Sequence, residues 1–189
     1  MRSKRPFGSW FDQPGDVPGW LRISLTCIAP LTLLGVLVGA WWVSRALDRL
    51  VGVRQLFAET VCWAIATPLL IIGSALMIWS ISRFVADRGT PVPFNPPRTL
   101  VTTGPYRYTR HPMATGFVVA ILGLGVGSQS IAIILIMVPL AVVLLTWEIR
   151  SFEEPQLHRR FGDAYLEYKK HVPMLFPRFK HIKANRILS

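Results

Sequence analysis

The chain has 189 residues, 51% of them hydrophobic and only 16% charged, with a mean hydropathy of +0.40. Soluble domains carry about 25% charged residues, so this composition argues against a soluble globular enzyme and for a membrane protein. The net charge of +11 would suit a nucleic-acid binder, but the cations fall between and after apolar blocks. No recognition-helix or RNA-binding signature accompanies them, which points to anionic lipid instead.

The N-terminus opens Met1-Arg2-Ser3-Lys4-Arg5 and continues through Trp10, Asp12, Pro14, Asp16 and Pro18 rather than an apolar core. It reads as a cytosolic loop, not a cleaved signal. The first predicted span is 23–43, which is uncharged, has Trp20 and Trp41-Trp42 at its two ends and carries Pro30 as an expected kink. About 20 such residues cross a bilayer core of about 30 Å. Residues 44–59, with Arg45, Asp48, Arg49, Arg54 and Glu59, are expected to form a short polar linker. The second span is 60–82, with Trp63 and Trp79 near its ends and Pro68 inside.

Residues 83–111 combine five arginines with prolines at 91, 93, 96 and 97. The prolines predict a stiff, extended stretch. It is either a connecting loop or a wall of a ligand site, because long loops without secondary structure are uncommon unless functional. From Pro112 to Trp147 no residue is charged. One helix of that length would measure about 54 Å, well beyond the bilayer core. Gly123, Gly125, Gly127, Ser128 and Gln129 therefore predict a break, with a hairpin of arms 111–126 and 129–154. The same glycines imitate a nucleotide-binding loop, but the strand and helix that such a loop needs are replaced by apolar flanks.

With the N-terminus cytosolic, only Arg45, Arg49 and Arg54 would lie outside, and every other Lys and Arg would face the cytosol. The expectation is a single all-α membrane domain over 1–189 with about four transmembrane helices, a C-terminal helical hairpin, short cytosolic C-terminal helices and both termini inside. Residues 1–82 would supply two spans and 83–189 the cofactor loop, hairpin and tail.

The chemistry gathers at the two ends of the hairpin. Pro112 suits the first turn of a helix, where its missing N–H costs little. Arg110 and His111 then sit at the positive end of the helix dipole, where an anion or ligand carboxylate is favoured. A plain positive-inside flank, with Tyr106 and Tyr108 as interfacial aromatics, explains the same residues. At the other end stand Glu148, Arg150, Glu153 and Glu154. Arg150 could pair with either following glutamate along the helix, or the carboxylates could hold a cationic ligand. Pro155 is expected to bend or end that helix. The two cysteines and four histidines show no metal-ligand spacing, so no metal is expected. Together the clusters suit a ligand with a cation, a carboxylate and an aromatic part, the chemistry of S-adenosylmethionine.

The segment Leu100-Val101-Thr102-Thr103-Gly104-Pro105-Tyr106, then Arg110-His111-Pro112, Glu153-Glu154, and Phe161-Gly162 through Tyr165, Tyr168 and Val172-Pro173 resembles the isoprenylcysteine carboxyl methyltransferases and their phospholipid methyltransferase relatives. The resemblance covers about residues 89–179. It implies a membrane methyltransferase using S-adenosylmethionine, with a lipophilic substrate entering from the bilayer. It further implies that Leu100, Val101, Tyr106, His111, Pro112, Met113 and Ala114 line the cofactor pocket. Glu153, with Glu154, would hold the cofactor's amino-acid end, and Arg150 would position the acceptor. Two residues depart from the pattern: Ala114 stands where the family usually has Tyr, and Pro155 directly follows the acidic pair. A membrane reductase of the sterol type shares the Arg-His-Pro block, but Met113, Ala114 and Phe117 replace its usual Asn, Tyr and Glu. A non-catalytic scaffold that kept the fold is the other alternative. The acceptor stays open among a prenylcysteine carboxylate, a phospholipid amine and a small lipophilic metabolite.

Overall fold

The computed structural model describes residues 35–36, 38–50, 52, 58–86 and 100–177, and all regular structure among them is helical. Most of the expected first span, and the proline-rich part of 83–111, lie outside the described residues. The elements are α1 (38–50), α2 (Glu59–Ala86), a 3-10 turn (Gly104–Arg107) and α3 (Pro112–Gly127). A long helix follows from 131 to 161, in which α4 (Val138–Glu148) and α5 (Glu154–Phe161) are joined through π-helical turns at Ile133–Met137 and Ile149–Glu153. A short α6 (Asp163–His171) leads into a tail that ends at 177.

Two of these helices, Glu59–Arg83 and Ile133–Phe161, are long and apolar enough to cross a bilayer. Their outward residues include Ile65, Ile71, Ile72 and Ile78 on one and Leu135, Leu140, Val143, Leu144 and Trp147 on the other, all exposed. That is what lipid-facing helices require, since hydrocarbon supplies no partner for a polar side chain. The helix α3 has 16 residues and spans about 24 Å, short of the bilayer core.

α2 and α3 run antiparallel and pack backbone to backbone. Gly73 faces Gly116 so closely that a Cβ on Gly73 would stand 2.7 Å from the Gly116 carbonyl oxygen, and a Cβ on Gly116 the same distance from that of Gly73. Further along, Gly123 lies against Leu69 and Leu70, and Gly127 against Trp63 and Ala66. Gly116, Ala120, Gly123 and Gly127 thus form one small-residue stripe on α3. In a membrane, where helices have no hydrophobic drive to associate, such stripes permit the close packing that holds them together.

This assigns the glycines differently from the sequence expectation. They do not break the helix: α3 runs through Gly123 and Gly125 to Gly127, because each glycine has a neighbour that needs its missing side chain. Gly125 meets Ile133 and Ile134 of the returning chain. The reversal falls at 128–130, in the Ser128-Gln129 part of the expected break, where Gln129 takes a positive φ of 52° and Ser130 N donates to the Gly125 carbonyl at 2.9 Å.

Two other boundaries shift for physical reasons. α1 continues to residue 50, across much of the expected polar linker. Its polar residues have partners there: Arg45 Nη1 donates to the Ser128 carbonyl at 3.1 Å, and Asp48 Oδ1 accepts from Ala132 N at 3.1 Å. Pro155 neither ends nor breaks the long helix, which continues to Phe161. Proline lacks an N–H and its ring crowds the carbonyl four residues back. Both prolines of this helix, Pro139 and Pro155, directly follow a π turn. In each π turn the closing N–H reaches back five residues, from Val138 to Ile133 and from Glu154 to Ile149. The widened turn takes up the crowding, and proline then occupies the first turn of the next α segment, where it is tolerated.

Candidate active site

The start of α3 and the end of the long helix meet. α3 begins at Pro112 with His111 at its N-cap, the position that the Pro112 argument predicts. His111 Nδ1 stands 3.2 Å from Glu153 Oε2, with the imidazole buried (4% exposed) and the carboxylate partly open (44%). Next to it, Glu154 is buried between two cations. Its Oε1 pairs with Arg110 Nη1, and its Oε2 accepts from Lys169 Nζ of α6 at 2.6 Å. Arg110 Nη1 also donates to the Tyr165 hydroxyl at 3.3 Å. The two neighbouring glutamates are therefore not equivalent: one is committed to protein cations and the other remains reachable.

The π turn at Ile149–Glu153 explains how both reach the α3 end. Each residue of an α-helix advances about 100° around the axis. One extra residue in the turn rotates everything after it by about that amount, bringing Glu153 and Glu154 onto the face toward Arg110 and His111. Intrahelical pairing with Arg150, one of the two options at the sequence level, is not what forms. Arg150 is exposed and takes no part in the contacts that join the clusters. Trp147 and Phe152 are exposed too and meet edge to face at 5.5 Å.

The tail closes the site from the other side. Arg110 N donates to the Pro173 carbonyl at 2.8 Å and His111 N to that of Met174 at 3.2 Å. Thr109 Oγ1 donates to the Met174 carbonyl at 2.7 Å, and Thr115 Oγ1 to that of Leu175 at 2.6 Å. These bonds are legible only in three dimensions, because all four acceptors are anonymous main-chain carbonyls. Sequence reasoning gave Thr109, Thr115 and Lys169 no role.

Tyr106 is buried, its hydroxyl meeting that of Ser80 on α2 and its carbonyl accepting from Tyr168 at 2.6 Å. Burial pushes the Tyr106 phenol well above its usual range, and Glu153 adds to the push. Burial does the same to Tyr165, reinforced by Glu154, and to Tyr168. All three stay neutral hydrogen-bonding groups rather than bases. Tyr165, Tyr168 and Val172 form a small core against which Leu100, Leu157 and Phe161 pack. Of the remaining sequence candidates, Val101 and Pro112 are buried, while Leu100, Met113 and Ala114 are partly exposed at the same end. Gly104, with φ of +64°, lets the chain pass under Arg83, whose Nε would lie 2.9 Å from any Cβ there.

Apart from Glu154 Oε1, which is ion-paired with Arg110, two buried polar atoms at this end, His111 Nε2 and Arg110 Nε, have no hydrogen-bond partner among the described residues. Buried donors and acceptors are rarely left orphaned, and orphans beside a half-open carboxylate mark a place for a polar ligand.

A segment of the chain is 38% identical over 92 residues to the protein-S-isoprenylcysteine O-methyltransferase of Xenopus laevis, covering 45% of this chain and 29% of that protein. Others are 36% identical over 80 residues to the cobalt-zinc-cadmium resistance protein CzcN of Cupriavidus metallidurans and 38% over 79 residues to the nickel-cobalt-cadmium resistance protein NccN of Alcaligenes xylosoxydans, each covering 42% of this chain and 36% of the relative. The matches thus span only about a third of these curated relatives. No solved structure matches. The phospholipid methyltransferase profile matches residues 61–164, more than half of the sequence and the stretch that contains α2, the Arg110-His111-Pro112 turn and both glutamates, and the chain belongs to that family.

Proposed function

We propose that this protein is a multi-pass membrane methyltransferase that uses S-adenosylmethionine to O-methylate the carboxylate of a prenylcysteine-like acceptor drawn from the bilayer. The observation that carries the reading is the Glu153–His111 pair at 3.2 Å beside the buried, partnerless His111 Nε2 and Arg110 Nε. That set offers a carboxylate to an ammonium and the Arg110 guanidinium to a carboxylate, the two ends of the cofactor's amino-acid moiety. When bound, S-adenosylmethionine supplies an electrophilic methyl group on its sulfonium.

The residues of the chain hold and align. Glu153 takes the ammonium end. His111, Arg110 and the main chain of 111–114 form the wall beside it, with Val101, Leu100 and Tyr106 as its apolar continuation. Arg150, exposed with Trp147 and Phe152 at the end of α4, suits an acceptor with an anionic head and an apolar chain. Holding reactants in line in a site shielded from water supplies much of the rate. A carboxylate acceptor needs no base. An amine would have to lose a proton, a further demand on His111 or Glu153 that a carboxylate acceptor does not make. This favours O-methylation over methylation of a phospholipid amine or a small-molecule thiol.

In this reading the chain crosses the bilayer about four times with both termini cytosolic. The Arg110–Glu154 end faces the cytosol and the 128–132 turn the opposite side. Two relatives are named for metal resistance. Among the described residues no three His, Cys, Asp or Glu side chains stand together, and no metal role is proposed.

The test is transfer of radiolabelled methyl groups from S-adenosylmethionine, in lipid nanodiscs, to prenylcysteine and phospholipid acceptors. Label in a base-labile methyl ester is expected. Label confined to amines would reject the O-methylation, and saturable binding of NADPH without S-adenosylmethionine would reject the methyltransferase in favour of a reductase. Accessibility labelling should place positions 111 and 153 on one side of the membrane.

A further inference from the structure

Three contacts tie α6 and the tail to the site. The Tyr168 hydroxyl holds the Tyr106 carbonyl at 2.6 Å, the 173–175 carbonyls hold the 109–115 turn, and Lys169 Nζ reaches Glu154 at 2.6 Å. The first two are anchored in buried surroundings and fix where α6 lies. The third is different, because it adds a second cation to a carboxylate that Arg110 already neutralises.

We propose that Lys169 is a positioning residue: by holding Glu154 onto Arg110 it fixes the rotation of the helix end, so that Glu153 is left as the ligand-facing carboxylate of the acidic pair. This rests on the ligand reading given above. Glu153 and Glu154 are adjacent, so their side chains leave the helix about 100° apart and cannot turn independently. Pinning Glu154 toward α6 and Arg110 sets the direction of Glu153 toward His111. The π turn that ends at Glu153 lacks the regular α hydrogen-bond ladder and gives the helix end more freedom to rotate, so an outside anchor is needed there.

Exposed ion pairs contribute little. Here, however, the side chain of Glu154 is only 8% exposed, against 44% for Lys169. Without Lys169, Glu154 would keep its ion pair with Arg110 but lose the contact that ties it to α6. Lys170, the next residue, makes the contrasting case: it pairs with exposed Glu167 on its own helix at 2.9 Å and touches nothing in the site.

The test uses the full chain in nanodiscs. Binding of S-adenosylhomocysteine is measured by calorimetry, steady-state kinetics are measured with S-adenosylmethionine, and amide exchange is followed at Arg110 and His111. Lys169→Met is expected to weaken binding about 10-fold, the scale of one lost charge-assisted hydrogen bond, raising the cofactor KM while kcat changes less than about twofold. Lys169→Arg should restore affinity to within about threefold, and Lys169→Met should add nothing in a Glu154→Gln background, because both act through one contact. Wild-type affinity in Lys169→Met, failure of arginine to rescue, or additive losses would overturn the proposal. If the wild-type chain binds no S-adenosylhomocysteine, the functional reading fails and amide exchange alone decides: faster exchange at Arg110 and His111 in Lys169→Met, reversed by arginine, supports the positioning role, and unchanged exchange sinks it.

Discussion

At the 128–132 turn, Arg45 and Asp48 of α1 direct their charges at main-chain groups: a carbonyl of the reversing chain and the Ala132 N–H in the first turn of the long helix. At the opposite end of the same helix pair, Arg110, Glu154 and Lys169 pair with one another, and His111 with Glu153. The first arrangement caps a helix through Asp48 Oδ1, the acceptor that a helix N-terminus lacks, while Asp48 Oδ2 is buried with no hydrogen-bond partner among the described residues. The second holds side chains against side chains and leaves a carboxylate half open. Polar residues at membrane depth are expected to mark function, but the contrast shows that burial and charge alone do not separate the two cases. What separates them is whether the charge ends on backbone or remains available to a ligand.

The largest expected effect comes from removing the available charge. His111→Ala and Glu153→Ala should each weaken S-adenosylhomocysteine binding about 10- to 100-fold, the value of a charge-assisted contact, with stability in detergent nearly unchanged for the partly open Glu153 and lowered for the buried His111. Calorimetry on both variants measures this, and equal loss from Asp48→Ala would erase the distinction between the two ends. The connection between the ends is tested next. Gly116→Ala pushes a Cβ to 2.7 Å from the Gly73 carbonyl and should cost about 1–3 kcal/mol of stability by overpacking, read from reversible unfolding in mixed micelles. Gly123→Ala, whose Cβ would meet side chains at 3.0 and 3.1 Å, should cost less. Asp48→Ala should lower stability by about 1 kcal/mol, as loss of a helix cap does, while cofactor affinity stays as it was. Tyr168→Phe should be the mildest: it removes the hydrogen bond to the Tyr106 carbonyl, worth about 1 kcal/mol, and should shift the melting temperature with only a small change in binding.

Much of the architecture is visible as text because membrane physics acts on composition. The apolar run at 60–82 became α2, and the run from 112 to 147 became two helices joined by a reversal, since one helix of that length exceeds the bilayer. Pro112 announced the start of α3 because proline fits only the first turn there. Ser128 and Gln129 do lie in the reversal, but the glycines before them serve packing instead. A glycine that breaks a helix and one that admits a neighbouring backbone look alike in sequence, and only the approach of Gly73, Leu69, Trp63 and Ile133 tells them apart. Pro155 misled in the same way, because the π turn that accommodates it has no residue signature.

Residue chemistry along the chain was thus enough to place a cation-rich helix start and an acidic helix end near each other, and to fix which stretches could lie in hydrocarbon. The tertiary structure decided which glutamate is locked and which is open, that Lys169 reaches back across 15 residues to the site, and that the 173–175 backbone closes over the histidine turn. Helix-forming and membrane-seeking tendencies are local and add along a sequence. The phase of a π-widened helix and the bonding of unlabelled carbonyls depend on where distant segments come to rest.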